Sequence, residues 1–370
     1  MEQELPSLFE LCRCSIAIQL FKINVRWRRL TDVAFSLRDI IEEMRLSLKI
    51  SLVVREALAQ ALKEVKRWDG KHSEMFLNDA KKRAMSKNEH LRTFYEHLVW
   101  KRYKIEIDDV ATARYLIKVE CRNWPLMQFQ FACLYAEVEM LNDDFRFDKY
   151  RRATFKKQLS DHPAYDFWLT LMESRHELFF ETERRLPNQK LTQCLIFAIR
   201  NGFMQLMEFI WTRIGDRHRE SVGLLELRAM LFRARDGQTM RFLCEELCRM
   251  NPVGVSRIAW TAFFDTFHRM LHEEKSDVVV QNQFKNKFEF LLRNSCPTLK
   301  NRLLKMENYR LICDAFRYNL TETFAMMLEA MSPEEVATAR EYVDRIFDRR
   351  KTRQGERLRR AMMRRQCTFS

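Results

Sequence analysis

Seven glycines and seven prolines in 370 residues are too few to punctuate a many-stranded sheet. Hairpins and strand ends draw heavily on those two residues, for positive φ and for fixed φ respectively. A chain this long with so few turn formers needs long helices joined by short polar connections. With 46% hydrophobic residues it has material for a sizeable core. The expected fold class is therefore all-α.

The apolar spacing agrees. Pro6, Ser7 and Glu10 make a helix start, because the S-x-x-E pattern satisfies two free backbone N–H groups reciprocally. Leu8, Leu11, Cys12, Ser15, Ile16 and Leu20 then recur at three- and four-residue intervals, and Phe9, Ile18 and Phe21 add a second strip. The expected first helix covers 6–25, and it is apolar on more than one side. Thr31 or Asp32 is expected to cap a helix through Leu37, Ile40, Ile41 and Met44, and a third helix carries Val53 to Val65. Asp69-Gly70-Lys71 is the expected break after it. The lysine-rich stretch 81–90 is the expected connector, and further helices are expected at 91–104, 109–120 and 124–142.

No run approaches about 18 uncharged apolar residues, so no membrane span is expected. The first residues lack a basic n-region, so no secretory leader is expected. The ten cysteines are scattered through apolar runs without a disulfide-framework spacing, which favours a reducing, cytoplasmic or nuclear setting. The formal charge is +14, and much of it is local. Residues 345–365 hold ten Lys/Arg against Asp348 and Glu356, a net +8. Two uses of this tail stay open: a terminal helix that caps the array, or a nucleic-acid contact.

Little points to catalysis. There is no glycine-rich phosphate loop, no G-x-S-x-G and no convincing Cys/His/Asp set. Cys244-x-x-x-Cys248 and His268-x-x-x-His272 have zinc-like residue types. Their separation is longer than a zinc finger's, and i,i+4 spacing is ordinary on a helix. No cofactor or metal is expected, and the expectation is a non-enzyme.

Residues 191–210, Leu191 through Ile210, resemble one ankyrin repeat. A first helix ends in Ala198-Ile199-Arg200-Asn201-Gly202 and a second opens at once with Met204, Leu206 and Met207. Gln193, Cys194, Leu195 and Ile196 stand where that family has Thr-Pro-Leu-His, so the repeat is degenerate. Arg235-Asp236-Gly237 and Cys313 through Leu320 echo it. Ankyrin-like helical pairs or another helical stack are thus expected over 160–347, behind a helical module at 1–150 and ahead of a basic tail at 348–370.

The first helix carries one further pattern. Ser7, Leu8, Cys12 and Ile16 resemble a BC box, the short helix by which ubiquitin-ligase substrate receptors dock on the Elongin B/C adaptor. Residues 31–46 resemble the cullin-facing half of a VHL box, with Val33, Leu37 and Ile41 at the apolar positions and Ala34 where proline is expected. The layout is similar to divergent, nematode-type ankyrin-like proteins with an N-terminal box. That resemblance implies a substrate-recognition adaptor with three partners: Elongin B/C, a cullin, and a protein target held by the helical repeats. It also implies a partner-binding set of Leu8, Cys12, Ile16, Val33, Leu37 and Ile41. Two uses of Leu8, Cys12 and Ile16 stay open: docking on a partner, or packing on the chain's own next helix. A helical scaffold without any ligase link, or a basic nucleic-acid-associated factor, are the alternatives in function.

Overall fold

The structure is a computed structural model of the whole chain. It describes residues 7–26, 28–76, 91–143, 147–173, 180, 189–233, 237–272, 288–289, 291–293, 295, 297–349 and 351–367. The secondary structure named among these residues is helical, apart from one isolated antiparallel bridge between Trp100 and Ile107. The all-α expectation holds. The chain divides into two compact units, Met1–Ile210 and Trp211–Ser370. The division falls later than the expected boundary near 150–160, because the helices from 125 to 201 pack in series with one another and with the N-terminal ones.

The first unit begins with three helices: α1 (Leu8–Asn24), α2 (Leu30–Glu43) and α3 (Leu48–His72). Each packs on the other two. The Ser7 cap forms as the sequence predicts. The Glu10 N–H donates to Ser7 Oγ at 3.3 Å, and the Ser7 N–H donates to Glu10 Oε2 at 3.1 Å. α2 starts one residue earlier than its expected cap. Arg29 holds the cap position without a side-chain hydrogen bond, and Asp32 sits in the first turn, where its charge suits the helix dipole. α3 runs straight through the expected break at Asp69-Gly70-Lys71. Gly70 costs a helix only about 1 kcal/mol relative to alanine, and the residues on either side are anchored. Trp68 and His72 are fully buried, their rings tilted against each other at 4.2 Å. The connector expected at 81–90 lies outside the described residues. Of the helix expected at 91–104, only short turns such as Tyr95–His97 form.

α4 (Asp109–Lys118) is bound to α3 by charge. Arg67 grips Asp109 with both guanidinium nitrogens, at 2.7 and 3.1 Å, and Lys71 Nζ reaches the same carboxylate at 2.7 Å. α5 (Pro125–Leu134) and α6 (Val138–Leu141) follow. A strongly charged stretch forms α7 (Lys149–Leu159), pinned by buried Phe155. α8 (Pro163–Glu173), α9 (Gln189–Asn201) and α10 (Met204–Trp211) complete this part of the chain. Aromatic rings dominate its core, with Phe129 against Phe147, Phe155 and Tyr165.

Three helix ends share one geometry. In each, an alanine carbonyl accepts a hydrogen bond from the N–H five residues on, and the residue between has positive φ. The sets are Ala132–Glu137 with Ala136 at φ 50°, Ala198–Phe203 with Gly202 at φ 74°, and Ala315–Leu320 with Asn319 at φ 58°. This is the Schellman ending, which turns the chain sharply into a following helix. The helix–turn–helix expected at 191–210 and its echo at 313–320 are present in that sense. The intermediate echo at 235–237 falls partly on residues outside the described set.

The second unit continues with α11 (Asp216–Arg233), α12 (Gly237–Met250), α13 (Pro252–His272), α14 (Pro297–Arg317), α15 (Thr321–Glu329), α16 (Pro333–Arg349) and α17 (Arg353–Cys367). α14 is kinked. Met306 is extended, and Glu307, Asn308 and Tyr309 lie at φ 48–60°. The basic segment expected as a tail is α17. It packs on α16, with Leu358 and Met362 buried.

Candidate partner-docking surface

α1 has two apolar faces, and among the described residues one of them packs within the chain. Cys14, Ala17 and Phe21, with Val25 beyond the helix end, are buried. Phe21 meets Trp100 edge-on at 6.0 Å, and Cys14 Sγ lies 3.8 Å from the Tyr103 carbonyl. Leu8 is 76% exposed, Ile16 40%, and Phe9, Cys12 and Ile23 are exposed as well. At about 100° per residue, Leu8, Cys12, Ile16 and Ile23 fall within an arc of about 80°. The buried set fills a similar arc on the opposite side. The expected partner residues of α1 therefore share one outward line.

The expected partner residues of α2 do not join them. Val33, Leu37 and Ile41 are buried, at 3% exposure or less. Their i, i+4, i+8 stripe is the face by which α2 packs on α1 and α3. Removing them from that contact would open the three-helix arrangement, so the structure takes them out of the docking set. Phe35, on the far side of α2, is the exposed apolar residue there.

The sequence reading missed the breadth of the exposed apolar surface. Met44, Leu48, Ile50 and Leu52, at the end of α2 and the start of α3, are all exposed, Leu48 at 77%. More than half of the exposed large hydrophobic side chains in the described residues come from the first 52 positions. A concentration of this kind marks an interaction surface more often than a scatter of single residues does. A signal was present in the sequence: Leu48 and Leu52 fall off the helical spacing of the core stripe that begins at Val54.

At the C-terminal end of α3, the groups that hold this helix in place are strongly perturbed. His72 Nε2 lies 2.7 Å from the Tyr135 hydroxyl, and Nδ1 lies 2.8 Å from the Trp68 carbonyl. Full burial drives its pKa down to about 3, so the ring is neutral. Nδ1–H then donates to Trp68 and Nε2 accepts from Tyr135. Asp69 is pushed up to about 6 by burial, against a hydrogen bond from Tyr95 and the charge of Arg92. Burial also raises Asp109, but Lys71 and Arg67 outweigh it and hold this carboxyl well below the usual range. These groups lie inside a core. Their arrangement positions α3.

Among the described residues no group of three metal-ligating side chains is assembled. Cys244 and Cys248 lie one turn apart on the buried face of α12. The His268 and His272 side chains lie outside the described residues. Cys12 is exposed, whereas Cys14, Cys121, Cys133, Cys194, Cys244, Cys248 and Cys313 are buried. No described helix is long and apolar enough to cross a membrane. The class of protein defined here is an all-α chain of two helical units with an exposed apolar surface toward its N-terminal end. No protein-family model, no curated protein and no solved structure matches this chain.

Proposed function

We propose that α1 is a docking helix of the BC-box kind. In this reading the protein is a non-catalytic substrate-recognition adaptor that joins Elongin B/C and carries a protein target on its helical units. One observation carries the reading. A helix with a complete N-terminal cap and a satisfied inner face presents Leu8, Cys12 and Ile16 in line on its outer face. Helix-in-groove partners are recognised by such i, i+4, i+8 anchors. Leu8 is the main anchor, Cys12 suits a narrow apolar site because the thiol is small, and Ile16 closes the stripe. Val33, Leu37 and Ile41 have no part in it, so a cullin contact, if one forms, falls to other residues.

The test is co-purification with Elongin B/C. The wild type is expected to bind, and Leu8→Ala with Cys12→Ala is expected to lose binding while melting at the same temperature. Failure of the folded wild type to bind removes the ligase reading.

A further inference from the structure

We propose that the outer face of α17 is an arginine ridge that binds the phosphate backbone of duplex nucleic acid. α17 contains six arginines and one acid, Glu356. Arg359 donates to Asp344 at 2.6 Å and lies over the Phe347 ring at 5.2 Å. Arg365 donates to the Glu329 carbonyl at 3.5 Å. These two pin the flanks of the helix to the unit. Arg353, Arg357, Arg360 and Arg364 are exposed.

The four exposed residues recur at i, i+4, i+7 and i+11, and so fall within about 60° of one another. The packed residues Gly355, Leu358 and Met362 occupy the opposite side. A Cβ at Gly355 would lie 3.2 Å from Phe347 and 3.3 Å from Phe316, so the helix is held close and the ridge points away from the core.

Cations one turn apart repel one another. Glu356 relieves this at Arg360, at 2.6 Å. Solubility alone needs no such alignment, since interspersed signs serve it as well. The ridge is about 16 Å long, equivalent to about five phosphates along one strand. Guanidinium groups suit phosphate oxygens through paired N–H donors. Arg345, Arg349 and Lys351, also exposed, add to the same charge at the α16–α17 corner.

Two other anionic partners fit less well. A membrane-surface helix needs its apolar face for the bilayer, and here Leu358 and Met362 are buried in the protein. Single-stranded nucleic acid calls for aromatic platforms, whereas Phe347 is buried beneath the helix. Duplex backbone contact requires neither.

The experiment is fluorescence anisotropy of the full chain with labelled duplex DNA and duplex RNA across a salt series. Anionic vesicles and poly-glutamate run as competitors. The wild type is expected to bind a duplex with a steep salt dependence. Arg353→Gln, Arg357→Gln and Arg364→Gln together are expected to weaken binding at least about tenfold at roughly 100 mM salt and to flatten the DNA salt slope by about 3. Unchanged melting shows that the variant is folded. Lysine at the same three positions is expected to retain most of the binding, and Leu8→Ala all of it. A DNA-only or RNA-only result supports the proposal and names the duplex. The proposal is overturned by no duplex binding, by a glutamine variant that binds like the wild type, or by vesicles or poly-glutamate competing as well as duplex.

Discussion

Replacing Asp69 by asparagine should make the first unit more stable at neutral and alkaline pH, and should uncover a pH dependence that the wild type conceals. Asp69 is 4% exposed, its Oδ1 lacks a hydrogen-bond partner, and burial raises its pKa from 3.8 to about 6. A raised carboxyl stabilises the fold fully below pH 3.8, and that contribution is lost as pH rises through about 6. The shift of about two pH units corresponds to at most about 3 kcal/mol. Asparagine keeps an acceptor for Tyr95 but leaves one buried polar atom unmatched, at a cost of about 1 kcal/mol. A net gain of about 1–2 kcal/mol above pH 7 remains. His72 has the opposite sign. Its pKa falls from 6.5 to about 3, so its contribution is complete above pH 6.5 and is lost as pH falls toward 3. Between about pH 4 and 6 the two slopes cancel in the wild type. In Asp69→Asn only the histidine slope is left, roughly 1.4 kcal/mol per pH unit. Hydrogen exchange of α3 peptides in urea, at pH 8, 6 and 4, reports this unit by itself. The variant should be more stable at pH 8 and no better than the wild type at pH 4. Parallel pH profiles for the two proteins would refute the reasoning.

Two further outcomes separate the faces and turns of the fold. Phe21→Ala, on the inner face of α1, should cost about 3–5 kcal/mol, whereas Leu8→Ala on the outer face should change stability by less than about 0.5 kcal/mol. Thermal melting of both variants checks the face assignment. Gly202→Ala should cost about 1–2 kcal/mol, because φ of 74° at the Schellman turn disfavours a Cβ. Urea unfolding measures it, and an unchanged midpoint would mean that the turn is not held in this geometry.

The all-α class was legible because scarce turn residues and helical spacing pointed the same way along the chain. The Ser7–Glu10 cap was legible because it is local. Face assignment was not. Leu8, Cys12 and Ile16 on α1 and Val33, Leu37 and Ile41 on α2 share one spacing, yet the first set is exposed and the second is core. Spacing states that residues share a face and is silent about what covers it. Contacts distant in sequence were also invisible. Arg67 and Asp109 are 42 positions apart, and no pattern in either segment announces the pair. The run of α3 through Gly70 depends on those same anchors, so the local break signal at Asp69-Gly70-Lys71 was outweighed by tertiary contact.

The outer faces of α1 and α17 bear on function through the same physical logic, with opposite chemistry. Each helix has a satisfied inner face: Cys14, Ala17 and Phe21 in α1, Leu358 and Met362 in α17. Folding therefore does not require the composition of the outer face, and a mixed polar surface would serve there. α1 instead exposes Leu8, Phe9, Cys12, Ile16 and Ile23 to water, and α17 aligns Arg353, Arg357, Arg360 and Arg364. The first costs solvation and the second costs repulsion. A partner that covers apolar surface removes the first cost, and a polyanion removes the second. The two should fail independently: a variant that abolishes adaptor capture through Leu8 should bind duplex normally, and one that flattens the arginine ridge should still be captured.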